Sequence, residues 1–162
     1  MLKAKRLFHI DDGPKLIGTT LGHSDWVTLD QEHVNMFAEA TQDDDWGHID
    51  VERCKRESPY GNTIVQGFLM MSMLIHLHHA MGLPPAGSGF ALNYGMDKVR
   101  FTSPVITGSR VRVAVDLIKF EQRPNGILMA TRDVMEVEGK EKPCMIAEWL
   151  TWLDPSTADI MD

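Results

Sequence analysis

Gln66-Gly67-Phe68-Leu69-Met70-Met71-Ser72-Met73-Leu74-Ile75-His76-Leu77-His78-His79-Ala80-Met81 is the stretch on which the fold turns. From Phe68 to Leu77 it is apolar at every position except Ser72 and His76. A helix with so little polar face is expected to be buried through most of its length. Gly82 and the pair Pro84-Pro85 stop it, since glycine accepts a left-handed terminus and proline cannot continue a helix. It is too short, and too interrupted by histidines, for a bilayer crossing of ~20 apolar residues.

Beyond this helix the period changes to two. Residues 89–101 read as strand, and Pro104 and Gly108 make a break. Val111, Val113, Val115 and Leu117 then alternate with Arg112, Ala114 and Asp116, the pattern of a half-buried strand. Arg123-Pro124-Asn125-Gly126 is a turn signal, 127–138 the next strand, Glu138-Gly139-Lys140-Glu141 the next turn, and Cys144 to Leu153 the last strand. Trp149 and Trp152, three positions apart, point to opposite faces of it. Several antiparallel strands and one long buried helix predict an α+β architecture, a sheet wrapped around that helix.

Upstream the signals are weaker. Residues 1–23, with the turn Asp11-Asp12-Gly13-Pro14, read as an extended N-terminal arm. A short strand from Asp25 to Leu29 leads to a helix in which Val34, Phe37 and Ala38 recur at helical spacing. Thr28 with Gln31 three positions later fits a capping box. Residues 50–63 read as a loop holding at most one helical turn. At 162 residues the chain is read as a single domain, 1–162, able to bury one substantial core.

Apolar and charged fractions of 43% and 24% are those of a folded globular protein. A net charge of −7 argues against a nucleic-acid surface and against attraction to anionic membranes. Cys54 and Cys144 lie far apart with no zinc or CxxC spacing, so they read as reduced thiols. The basic start Lys3-Ala4-Lys5-Arg6 precedes no long apolar run, so no signal peptide is expected and the expected location is cytoplasmic.

The chemistry concentrates between Thr41 and Gly67. Asp43, Asp44 and Asp45 are consecutive carboxylates, and His48 follows Asp43 by five positions. A carboxylate and an imidazole joined by a short turn suit general acid–base work on a water. Gly67 at a helix start offers backbone N–H groups and the positive end of a helix dipole to a developing oxyanion. By spacing alone, a solvated acidic loop with a capping carboxylate is the favoured reading of Asp43 and His48. His76, His78 and His79 come without a placed carboxylate, so a structural or capping role is expected and no metal. Ser72 has no histidine–acid pair spaced to activate it. Met70, Met71 and Met73 are adaptable core filler, and some could line an apolar pocket.

The wording of this stretch resembles a known family. Phe37-Ala38, Thr41, Asp43, His48 and Asp50, then Ile64-Val65-x-Gly67 and Ser72-x-Leu74, are similar to the MaoC-like (R)-specific enoyl-CoA hydratases. Trp46 where the hydratases have proline, followed by Glu57-Ser58-Pro59-Tyr60-Gly61, makes the nodulation-protein-N branch the most similar. Asn93-Tyr94-Gly95, Lys98-Val99-Arg100-Phe101 and Ala147-Glu148-Trp149 extend the resemblance over most of the chain. Gln42, Asp45 and Trp46 depart from the family's glycine, asparagine and proline.

The resemblance implies the hotdog fold, a homodimer, no cofactor, and a substrate that is an acyl-CoA or acyl-carrier thioester. It implies that Asp43 and His48 position and deprotonate a water and return a proton to the α-carbon, while the Gly67 N–H polarises the thioester carbonyl. Asp45, Trp46 and Val65 border these groups and are candidates for substrate binding. An anionic CoA ester on an acidic chain also needs a basic patch, for which Lys98, Arg100, Arg110 and Arg112 are the candidates. A hotdog acyl-CoA thioesterase and a non-catalytic acyl-binding protein are the alternatives.

Overall fold

Helix α5, Gly67–Met81, forms where the apolar run predicts it and ends at Gly82 in the left-handed conformation, φ 92°. The computed structural model describes residues 6–161. Ahead of α5 come a 3-10 turn, Ile10–Asp12, then α1 (Gly13–Leu16), β1 (Thr19–His23), β2 (Val27–Thr28), α2 (Gln31–Thr41), α3 (Trp46–Ile49) and α4 (Val51–Glu57). After it come β3 (Phe90–Phe101), β4 (Arg110–Arg123), β5 (Gly126–Val137), β6 (Met145–Asp154), a 3-10 turn, Pro155–Thr157, and α6 (Ala158–Met161). No helix among the described residues is long and apolar enough to cross a membrane.

The strands form one antiparallel sheet in the order β1-β4-β5-β6-β3, with β2 also paired to β4. Short turns join β4 to β5 and β5 to β6, so sequence neighbours pair. The segment 102–109 carries the chain from β3, which lies outside against β6, across to β4. Alternation then builds the core. Val111, Val113 and Val115 of β4, Met135 and Val137 of β5, and Met145 and Trp149 of β6 pack against Leu69, Met70, Leu74 and Leu77 of α5.

Four expectations need correction. The segment up to residue 23 is no free arm: Thr19–His23 pairs with β4, and Leu7 N–H donates to Gly82 O at 3.1 Å. Residues 1–5 of that arm lie outside the described residues. The cap of α2 is Asp30 rather than Thr28, because its carboxylate reaches His33 N–H at 3.0 Å. The stretch 50–63 contains a helix of seven residues, α4, capped by Asp50. Its ion pairs Arg53–Glu57 and Lys55–Glu52 run along helical spacings that a polar sequence hides. Finally, α5 is buried on one face only. Phe68 is 65% exposed and Ile75 45%, because the sheet covers only the opposite side.

Candidate active site

Helix α2 ends at Gln42, whose φ of 59° reverses the chain, and Asp43 N–H closes the end by donating to Ala38 O at 3.1 Å. Glycine adopts this conformation freely and glutamine at a cost, which accounts physically for the glycine expected at this position. Asp43 therefore emerges from a sharp helix terminus with an exposed side chain. Its carboxylate has no hydrogen-bond or ion-pair partner among the described residues. Asp45 is engaged by the helix that follows it, its Oδ1 capping α3 by accepting from Gly47 N–H at 2.7 Å. Trp46 lies beneath the guanidinium of Arg53, 4.1 Å from ring centre to Cζ.

His48, half-buried at the end of α3, is held in one orientation. Its Nδ1 lies 2.6 Å from the carbonyl oxygen of Ile64. A carbonyl only accepts, so Nδ1 carries the proton and Nε2 of the neutral ring is left as the acceptor. The backbone around it is tied as well. Gln31 Nε2 donates to His48 O at 2.8 Å, while Gln31 Oε1 accepts from buried Thr63 Oγ1 at 2.7 Å. One side chain on α2 thus joins the histidine turn to the strand-like segment before α5. The sequence singles out Gln31 only as a capping-box partner and Thr63 not at all, since the two lie 32 positions apart.

That segment leads directly to Gly67. Ile64 bridges Ile106, and Val65 N–H donates to Val105 O at 2.8 Å, which buries Val65 and fixes its direction. Gln66 is buried and anchors the helix start to α2 through Nε2 to Val34 O, 3.1 Å. It gives α5 no side-chain cap, so the N–H groups of the first turn keep their donor capacity. A Cβ on Gly67 would stand 3.0 Å from the ring of Phe101. Only a residue without a side chain fits there unless the ring moves.

The expected basic patch is largely neutralised. Lys98 pairs with Glu148, Arg110 with Glu138 and Arg112 with Glu136, each at 2.7 Å. Arg112 also lies over Trp26, at 4.6 Å. Arg100 donates to the Val99 carbonyl at 2.7 Å. Lys98, Arg110 and Arg112 therefore carry little uncompensated positive charge.

A second histidine–carboxylate pair sits far along α5. His78 Nε2 lies 2.7 Å from Asp133 Oδ1, both buried, and Thr131 Oγ1 donates to Asp133 Oδ2 at 3.1 Å. The imidazole rests against Trp149, ring centres 4.7 Å apart, beside a cavity of about 180 Å³. His76 and His79 are exposed, and the described residues hold no group of three or more His, Cys, Asp or Glu suited to a metal. Cys54 and Cys144 are buried and unbonded to each other; burial raises both thiols, Cys144 to about 12.

An antiparallel sheet packed against one long helix, with the Asp43–His48 stretch tied through His48 to the segment before that helix, defines a hotdog domain. The chain belongs to the MaoC like domain family, whose match covers residues 13–138. It is 46% identical over 132 residues to 3-hydroxyacyl-thioester dehydratase Z of Mycobacterium tuberculosis, covering 81% of this chain and 86% of that one. It is 42% identical over 142 residues to Nodulation protein N of Rhizobium leguminosarum bv. viciae, covering 86% and 88%. The unliganded R-hydratase of Pseudomonas aeruginosa superimposes with a TM-score of 0.66 at 22% identity, covering 85% of this chain and 81% of the other, a likeness of fold.

Proposed function

We propose that this chain reversibly adds water to a 2-enoyl-CoA-like thioester, with Asp43 and His48 as its acid–base pair. The broader class, a thioester hydratase/dehydratase, rests on the family and on the dehydratase relative. The observation that carries the more specific reading is the fixed imidazole. Ile64 O holds Nδ1–H and leaves Nε2 as a base, and Ile64 itself stands only three residues of chain before the uncapped start of α5. A water held between Nε2 and the Asp43 carboxylate would lose its proton as its oxygen bonds to the β-carbon. The electron pair of the double bond moves onto the thioester oxygen, where the Gly67 N–H stabilises the enolate. The same pair then returns the proton to the α-carbon, and the thioester remains intact. A thioesterase would instead break the C–S bond.

The test is a panel of 2-enoyl- and saturated acyl-CoA esters, followed by loss of the conjugated double bond and by thiol release. Hydration without thiol release is expected. Asp43→Asn and His48→Gln should each lower kcat roughly 10²–10⁴-fold, the double variant little further, and Asp44→Asn hardly at all. Hydration surviving both single variants would return the loop to the solvated reading, and thiol release alone would make the chain a thioesterase.

The active unit is read as a homodimer in the cytoplasm. β3 is an outer strand with Leu92 56%, Tyr94 64% and Phe101 44% exposed, beside the bare Phe68 and Ile75 of α5. A second copy covering this face would hide an unpaired edge and an apolar patch together. Sedimentation as a dimer at micromolar concentration is expected; a clean monomer would remove the dimer from the proposal.

A further inference from the structure

We propose that the cleft between the 103–109 segment and the β5–β6 turn binds the nucleotide diphosphate of a CoA thioester, through Lys140 and Lys142. This rests on the thioester reading above and asks which carrier the site takes. The cleft measures about 490 Å³ and is bordered by Tyr60, Ser103, Val105, Ser109, Lys140 and Lys142, with Glu141 between the lysines. Its inner wall belongs to the candidate active site. Val105 O receives the Val65 N–H two residues before Gly67, and Ile106 bridges the same Ile64 whose carbonyl orients His48. A thioester whose carbonyl meets the start of α5 therefore has this cleft within reach of its carrier arm.

Charge selects the ligand. Lys98, Arg110 and Arg112 are each committed to a glutamate, whereas Lys140 and Lys142 form no ion pair among the described residues. The backbone explains the difference: past Glu138, which still reaches Arg110, the chain turns at Gly139, φ 76°, and leaves the paired strands, so Lys140, Glu141 and Lys142 have no cross-strand partners. Arg110 takes Glu138 out of the local balance. Two free ammonium groups against the single carboxylate of Glu141 leave a positive surface on a chain of net charge −7. Phosphates accept from ammonium groups as point-charge partners. Tyr60, 45% exposed at the other side of the cleft, offers an aromatic face to an adenine ring.

A 2-enoyl-CoA, the matching pantetheine thioester, which lacks the diphosphate and nucleotide, and the matching acyl-carrier thioester separate the possibilities. In K140A/K142A the preference in kcat/KM for the CoA ester over the pantetheine ester should fall roughly five- to tenfold at low ionic strength, through KM rather than kcat. Added salt should erode the wild-type preference in the same way. Glu141→Gln should sharpen it. An unchanged preference overturns the proposal. So does a loss confined to the acyl-carrier thioester, which would make the turn a protein-docking surface. If the chain hydrates none of the three, calorimetric titration with free CoA still decides: weaker binding in the double variant supports the site, and equal binding removes it.

Discussion

Two of the molecule's histidine–carboxylate sets are built oppositely. His78 and Asp133 touch at 2.7 Å, lie on α5 and the central strand β5, and are closed off from solvent. Asp43 and His48 belong to one short loop, share no direct hydrogen bond, and have their ring and carboxylate tied to nothing but the Ile64 carbonyl. A buried pair whose members bond each other holds its charge and proton within the core, and losing one member strands the other there. A separated pair leaves an acceptor nitrogen and a free carboxylate for a third party. The closed set is thus suited to stability and the open one to chemistry.

Breaking each in turn sharpens this contrast. Asp133→Ala should lower the unfolding free energy by about 3–5 kcal/mol, because it leaves a buried imidazole without its partner. Asp43→Ala should shift the same denaturant melt by no more than about 0.5 kcal/mol. The double replacement His78→Leu/Asp133→Leu should recover part of the first loss, since removing both polar partners leaves neither unsatisfied. Equal destabilisation at the two aspartates would end the distinction.

A smaller effect is expected at the terminus that presents Asp43. Gln42→Gly relieves a left-handed glutamine and should stabilise the fold by about 0.5–1 kcal/mol. If Asp43 works only from this terminus, turnover should be preserved at the same time. A stability loss on chemical denaturation would show that the Gln42 side chain does more than occupy the turn.

Much of this is legible in the chain where the signal is local. The α5 run, the alternation of Val111 to Leu117 and the Arg123–Gly126 turn each announce their element within a few residues. Asp43, His48 and Gly67 stand out because their chemistry and their place beside turns are visible in the chain. The seven-residue helix α4 escapes a sequence reading because its helical evidence is ion pairing on a polar surface, which looks like loop composition. Thr28 looks a better cap than Asp30 on spacing, and spacing cannot tell which oxygen reaches the first N–H.

The sequence by itself therefore determined the α+β class, the central helix and the succession of the later strands, and it singled out the stretch that holds the proposed acid–base residues. Tertiary structure decided what depends on residues far apart in the chain. It paired residues 19–23 with β4, oriented His48 through Ile64 and braced it with Gln31 and Thr63. It consumed Lys98, Arg110 and Arg112 in cross-strand ion pairs and left Lys140 and Lys142 free on a turn. The physical reason is one of range. Periodicity and turn chemistry act over a few residues and are written along the chain, whereas a hydrogen-bond partner or a neutralising charge is chosen only when the sheet brings distant strands within about 3 Å of each other.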